Sequence, residues 1–445
     1  MDSNKEWKDM TWREKREERF NVWLNPEDVK FVSQEAENLY KERVSRFIKA
    51  IKMEEPDRVP VMLPTGNFPA YWGGVDYHTL MYDYEKGHEI WKKYMKAFGD
   101  MDNFNGPAYI PSGKISEVIQ LKTQKLPGLG LPEDAPMHQF VEGEYMKADE
   151  YDLLMMDPTD YNLRIMMPRT SDFFKSLAKL PLLRQSYGNP WVAAMTDPDI
   201  RQTFQTLIDL ADEYTKWESS SAEINNYIKA HGYPSLFGMG PMAQSPFDHF
   251  ADALRGTYGI VMDMYRQPEK LHEAMDYWLK LQLETSVKDF PMTASPICMM
   301  PLHKGDDVFM SDKQFEEFYW PTLRAIFMAM IEEGLVPVPF AEGRYTNRLK
   351  QIADTPKSGV VWWFDQTDMA QAKEILGNVS CIMGNVPSSI AMKGTEAQVK
   401  EYCRRLIEEC APGGGYILSG GASVDKGKIE NLQAMMKAAK EYGVY

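Results

Sequence analysis

The sequence predicts an α/β fold built on parallel strands, and three observations predict it. Between Leu335 and Asp425 a short apolar run, a loop opening on a polar residue and a helical stretch recur four times. The apolar runs are nearly continuous rather than alternating, the pattern of parallel strands buried on both faces. The units repeat every ~20–40 residues, as in a (β/α)8 barrel or a doubly wound sheet.

The four runs are Leu335 to Phe340, Gly359 to Phe364, Val379 to Met383 and Gly415 to Leu418. Between the last two, Thr395-Glu396-Ala397-Gln398 has capping-box spacing, and Val399, Tyr402, Cys403, Leu406, Ile407 and Cys410 share one helical face. Gly413 to Gly415 end that helix. Glu342, Asp365, Asn385, Ser419 and Ser423 stand where strands hand over to loops, the side of a parallel sheet that carries chemistry.

Earlier in the chain, residues 1–55 are charged and helical in pattern, with Trp7, Trp12, Phe20 and Trp23 among Lys, Arg and Glu. They read as an N-terminal helical extension packed on the outside or on a partner subunit. A first strand, Asp57 to Leu63, empties into a Gly/Pro/aromatic loop, Pro64 to Gly74. A second strand is expected at Met101 to Phe104, followed by a polar loop with Asn103, Asn105 and Tyr109. Leu121–Lys125 and Gln139–Glu144 suit hairpin strands, and residues 171–230 read as a helical insertion or long crossover. Tyr233 to Met239 and Pro296 to Leu302 complete the strands, the latter delivering His303-Lys304-Gly305-Asp306-Asp307 to the same rim.

Composition narrows the function classes. The chain has 445 residues, 44% hydrophobic, enough for a large core. A net charge of −15 disfavours nucleic acid or an anionic membrane as partner. There is no apolar run of membrane-spanning length and no signal-peptide pattern, so a cytoplasmic protein is expected. Cys298, Cys381, Cys403 and Cys410 form no CxxC pair and read as buried thiols. The 30 methionines suit a low-oxygen cell or a pliable pocket.

Four stretches carry a resemblance: Glu55-Pro56-Asp57-Arg58-Val59-Pro60-Val61, Gly238-Met239-Gly240-Pro241 with Gly256, Gly384-Asn385-Val386-Pro387 with Gly394-Thr395-Glu396, and Tyr416-Ile417-Leu418-Ser419-Gly420-Gly421. In this order they resemble the uroporphyrinogen decarboxylase superfamily, which includes cobalamin-dependent methyltransferases. The resemblance implies a TIM (β/α)8 barrel over residues 56–445, with the site at the carboxyl ends of the strands. Departures choose among branches. The first loop, Pro64 to Phe68, lacks the arginines that hold a polyanionic porphyrinogen, and Ser419-Gly420-Gly421-Ala422 lacks the closing histidine. Phe340-Ala341-Glu342 and Ala422 stand where the zinc-thiolate branch has an H-x-C motif and a closing cysteine. What remains is similar to the first methyltransferase of anaerobic O-demethylase systems. Such a component takes a methyl group from a small substrate and passes it to the cobalt of a separate corrinoid protein. The chain lacks a D-x-H-x-x-G corrinoid-binding motif of its own.

That chemistry needs an acid or a metal beside the leaving oxygen, an apolar slot for the substrate and a mouth open to the corrinoid. Glu342, Asp365 and His303 are the candidate catalytic residues, with Asp306 and Asp307 beside them. Glu342, His303 and Asp307 would form the ligand set if a zinc ion supplies the Lewis acid. Asn67, Phe68, Tyr71, Trp72, Tyr109, Phe340, Trp362 and Asn385 are the candidate substrate contacts. Trp362 and Trp363 must point to opposite sides of their strand, so only one faces the interior. A homodimer is expected. A decarboxylase-like lyase and a non-catalytic tetrapyrrole or corrinoid carrier are the alternatives.

Overall fold

The computed structural model of the chain describes residues 5–104, 106, 110–182, 188–237, 243–287, 292 and 295–445. Strands in chain order are β1 (Val61–Met62), a small group β2 (Gln124–Pro127), β3 (Gly130–Leu131) and β4 (Gln139–Phe140), then β5 (Ile297–Leu302), β6 (Val336–Ala341), β7 (Val361–Phe364), β8 (Cys381–Val386) and β9 (Tyr416–Gly420). The main sheet has six parallel strands in the order β1-β9-β8-β7-β6-β5. It curls into the half-barrel of a TIM-like fold, with helices on its outer face.

Eight strands were expected; among the described residues six form the ladder. Residues 101–104 and 233–237 run between β1 and β5 without pairing as strands. Single hydrogen bonds link them instead. Val61 N donates to Asp102 Oδ2 (2.8 Å), Phe104 N to Pro234 O (3.2 Å) and Ser295 Oγ to Leu236 O (2.7 Å). A side chain, Asp102, takes the Val61 amide that a neighbouring strand would take, while Arg46 and Arg58 hold the same buried carboxylate at 2.6–2.7 Å. The Gly238–Pro241 motif lies outside the described residues.

Alternation along each strand separates two cores. Val336, Val338, Val361, Trp363, Cys381, Met383 and Ile417 face the lumen. Trp362, Phe364, Ile382, Tyr416 and Leu418 face the helices. Pro337 and Pro339 shape the register of β6. Val336 N bonds back to Pro296 O beside β5, so the alternate amides, those of residues 337 and 339, would serve β7, and proline has none. The β6–β7 ladder accordingly forms only at Phe340↔Trp363 and Ala341↔Phe364.

The N-terminal helices do not lie outside the barrel. Trp12–Leu24 and Gln34–Ile51 put Phe20, Trp23, Tyr40, Val44 and Phe47 into the same cluster as Ile297, Val336, Val361 and Cys381, stoppering the amino ends of the strands. Arg16, buried, donates to the carbonyls of Leu335, Ser358 and Gly359. Residues 171–230 are mostly helical where described, ending in the 33-residue helix Pro198–Ala230, whose start Asp197 caps. The four cysteines are free and buried. No helix among the described residues is long and apolar enough to cross a membrane.

Candidate active site

The loop after β5 is held from both sides by one helical segment. Ser245 caps Pro246–Asp248, and His249–Arg255 continues it. Asp248 accepts from His303 N (3.3 Å), Lys304 N (3.0 Å) and the Tyr319 hydroxyl (2.5 Å), which fixes the loop's backbone. Burial of that carboxyl, with Asp252 nearby, pushes its pKa up to about 7. Four residues on, Asp252 Oδ2 lies 2.6 Å from His303 Nδ1, and its other oxygen lies 3.4 Å from Lys304 Nζ. The hydrogen bond to Asp252 raises the imidazole to about 9 against the opposing effect of burial, so His303 is an imidazolium near neutrality.

Across the mouth, His303 Nε2 lies 3.8 Å from Glu342 Oε1, and the glutamate side chain is 46% exposed. Burial raises the Glu342 carboxyl, His303 opposes the rise, and Asp365 and Asp252 add to it. Asp365 accepts from Gly343 N (3.2 Å) and Gln366 Nε2 (3.2 Å), and burial raises its pKa too. A Cβ on Gly421 would come within 2.9 Å of Asp365 Oδ1, so the closing turn keeps a glycine there. Among the described residues no arginine pairs with Asp248, Asp252, His303, Glu342 or Asp365. Asp252, Glu342, Asp365, the His303 imidazolium and Lys304 thus surround an opening in which no described guanidinium neutralises a carboxylate, although Arg344, two residues beyond Glu342, stands exposed on the same loop.

Beside them lies an aromatic cluster. Phe340 and Trp363 meet at 4.2 Å between ring centroids, Phe237 stacks on Trp363 at 5.9 Å, and Trp363 Nε1 donates to Gly420 O (2.8 Å). Met299 shares the lumen side of β5 with Ile297 and is 41% exposed, which marks open space at that wall. Ser419 shares the side of Ile417 on β9, and its Oγ is buried without a partner.

The other expected contacts are placed as follows. Trp362 points outward, packed on Trp320 and Phe327, because the lumen register belongs to Trp363. Phe68 and Trp72 pack edge-on against Tyr94 in the helix layer, since residues 68–72 wind into a short helix. Tyr71 donates to Pro136 O (2.6 Å). Asn67 N is tied to Asp425 (2.7 Å), and its Oδ1 is buried without a partner. Asn385 Nδ2 donates to the Asp365 and Thr367 carbonyls (2.9 and 2.8 Å), bracing the loop after β7. Tyr109 lies outside the described residues. The Glu342, His303 and Asp307 ligand set does not converge. Asp307 accepts from Asn347 N (3.1 Å) and faces Arg348 at 3.6 Å, and no group of three His, Cys, Asp or Glu among the described residues is arranged to hold a metal. A cavity of about 750 Å³ lies between Gly113–Ile119, the β2–β3 segment and Pro198–Ala230, and its described lining carries no carboxylate or imidazole.

Comparison with known families covers the C-terminal part of the chain. Residues 235–442 match the uroporphyrinogen decarboxylase (URO-D) family. A methyltransferase from Methanosarcina mazei has a similar fold, with a TM-score of 0.55 and 15% identity over 91% of this chain and 98% of that one. It is among 23 solved chains that match. No curated protein sequence matches.

The URO-D region contains Asp248, Asp252, His303, Glu342 and Asp365, whereas Asn67, Phe68, Tyr71 and Trp72 precede it. Sequence reasoning missed Asp252, Met299 and the inward choice of Trp363. Asp248 and Asp252 were open to detection: two carboxylates four apart amid Phe247, Phe250, Ala251 and Leu254 lie on an otherwise apolar helical stretch.

Proposed function

We propose that the chain is a methyltransferase that demethylates a small substrate, foremost an aryl methyl ether, and passes the methyl group to the cobalt of a separate corrinoid protein. The observation that carries this reading is the His303–Glu342 pair (3.8 Å), set beside the Phe340–Trp363 aromatic pair, with no described arginine paired to either residue. The arrangement suits a neutral ring and an oxygen that must gain a proton. A phenol of pKa ~10 leaves poorly as the free phenolate, and a donor of matched acidity lowers that barrier. In this reading Phe340, Trp363 and Met299 hold the ring, and the exposed rim admits the corrinoid as co-substrate. Among the described residues no ligand set for zinc is assembled, so this reading gives the acid role to residues of the chain itself.

The test is turnover of methoxylated aromatics with free cob(I)alamin as acceptor. The reading predicts demethylated product and methylcobalamin in equal amounts. Release of carbon dioxide without a corrinoid would show the lyase instead. Tight tetrapyrrole binding without turnover would show the carrier.

A further inference from the structure

We propose that Asp252 is the positioning residue that turns the Nε2 edge of His303 toward the mouth, making His303 the group that delivers the proton to the departing oxygen. The inference deepens the methyl-transfer reading and rests on it. The geometry is a two-point mount. Asp248 holds the backbone amides of His303 and Lys304 (3.3 and 3.0 Å), and Asp252 holds the ring at Nδ1 (2.6 Å). Both carboxylates come from the same helical stretch, Pro246–Asp248 with His249–Arg255, so backbone and ring are registered to one rigid element.

The groups around the imidazole leave it one free edge. Asp252 and Asp248 face it from that helix, Lys304 from its own loop, and Glu342 from the loop after β6, with Asp365 beyond Glu342. Lys304 is itself anchored: its Nζ lies 3.4 Å from Asp252, 3.6 Å from Glu142 and 2.9 Å from Thr257 Oγ1. It therefore balances Asp252 without displacing the ring. A flipped ring would set a carbon against Asp252 and forfeit a charge-assisted hydrogen bond, so the mount selects one orientation. In the step, cobalt(I) supplies the electron pair for the new bond to the methyl carbon. The carbon–oxygen bond breaks with its pair left on oxygen. The Nε2–H bond then breaks as O–H forms, leaving neutral His303. Glu342, half exposed beside Nε2, is placed to return a proton from solvent.

Two readouts test the mount on the full chain. In the first, proton NMR of ¹⁵N-histidine-labelled protein should show a downfield Nδ1–H resonance. It should vanish in His303→Gln and move upfield or disappear in Asp252→Asn, while the other histidine signals stay. In the second, a series of aryl methyl ethers with leaving phenols of graded acidity is turned over with free cob(I)alamin. Asp252→Asn should cost on the order of 10²-fold in kcat with the most basic leaving group and only a few-fold with a nitrophenol, with KM little changed. An unshifted resonance, or an equal loss across the series, would overturn the proposal. No turnover of any ether by the wild type would sink the methyl-transfer reading instead, and the NMR arm would still decide whether Asp252 orients the ring.

Discussion

His303 is held between two carboxylates of unequal burial: Asp252 at 2.6 Å from Nδ1, and Glu342 at 3.8 Å from Nε2. The nearer one fixes the ring, and the farther one shares its open edge with the mouth.

The first prediction concerns pH. His303 titrates at about 9, chiefly through Asp252, so the proton-donating form persists through neutrality and activity should fall as pH passes about 9. In Asp252→Asn that fall should move down toward the ordinary imidazole range. The sign for stability follows from the same shift. A pKa raised from 6.5 to about 9 on folding stabilises fully below 6.5, and the contribution disappears as pH rises through about 9. The gap in Tm between wild type and Asp252→Asn should therefore be widest below pH 6.5 and close above pH 9.

Glu342→Gln should lower methyl transfer at least ~10-fold while moving Tm by no more than a few degrees, because its side chain is half exposed and, among the described residues, makes no close hydrogen bond. Turnover measured beside a thermal melt settles this; undiminished turnover would remove Glu342 from the site.

The two adjacent tryptophans should behave oppositely. Trp362→Ala hollows the layer between sheet and helices and should cost about 3–5 kcal/mol in denaturant unfolding. Trp363→Phe keeps an aromatic ring beside Phe340, so stability should change less while substrate affinity falls several-fold in a calorimetric titration.

Arg16→Ala should destabilise the chain by roughly 2–4 kcal/mol, since buried carbonyls of Leu335 and Gly359 lose a charged donor. A loss under 0.5 kcal/mol in urea unfolding would show the N-terminal helices to be loosely docked.

Much of the fold was legible because the late strands are apolar on both faces. The runs ending at Phe340, Phe364, Met383 and Leu418 became β6 to β9 with boundary shifts of at most three residues. Residues 101–104 failed as a strand for a reason local sequence hides: Asp102 is drawn to Arg46 and Arg58, residues 56 and 44 positions away, and its side chain replaces a ladder bond. The candidate site divides the same way. His303, Glu342 and Asp365 could be singled out because they follow strands. Asp252 sits on a helix and reaches His303 across 51 residues, a pairing that only tertiary structure brings about. Asp307 and Asn385, also at strand ends, turned to bracing loops, which position alone does not distinguish from chemistry.

The helices wedged beneath the strands also bear on kinetics. With that end closed, the methyl-transfer reading makes the rim the doorway for ring, proton and cobalt alike. A large acceptor seated there would shut the ring inside, so the ring must enter first and leave last. The enzyme would then follow a compulsory queue, and excess acceptor should slow it by arriving too early.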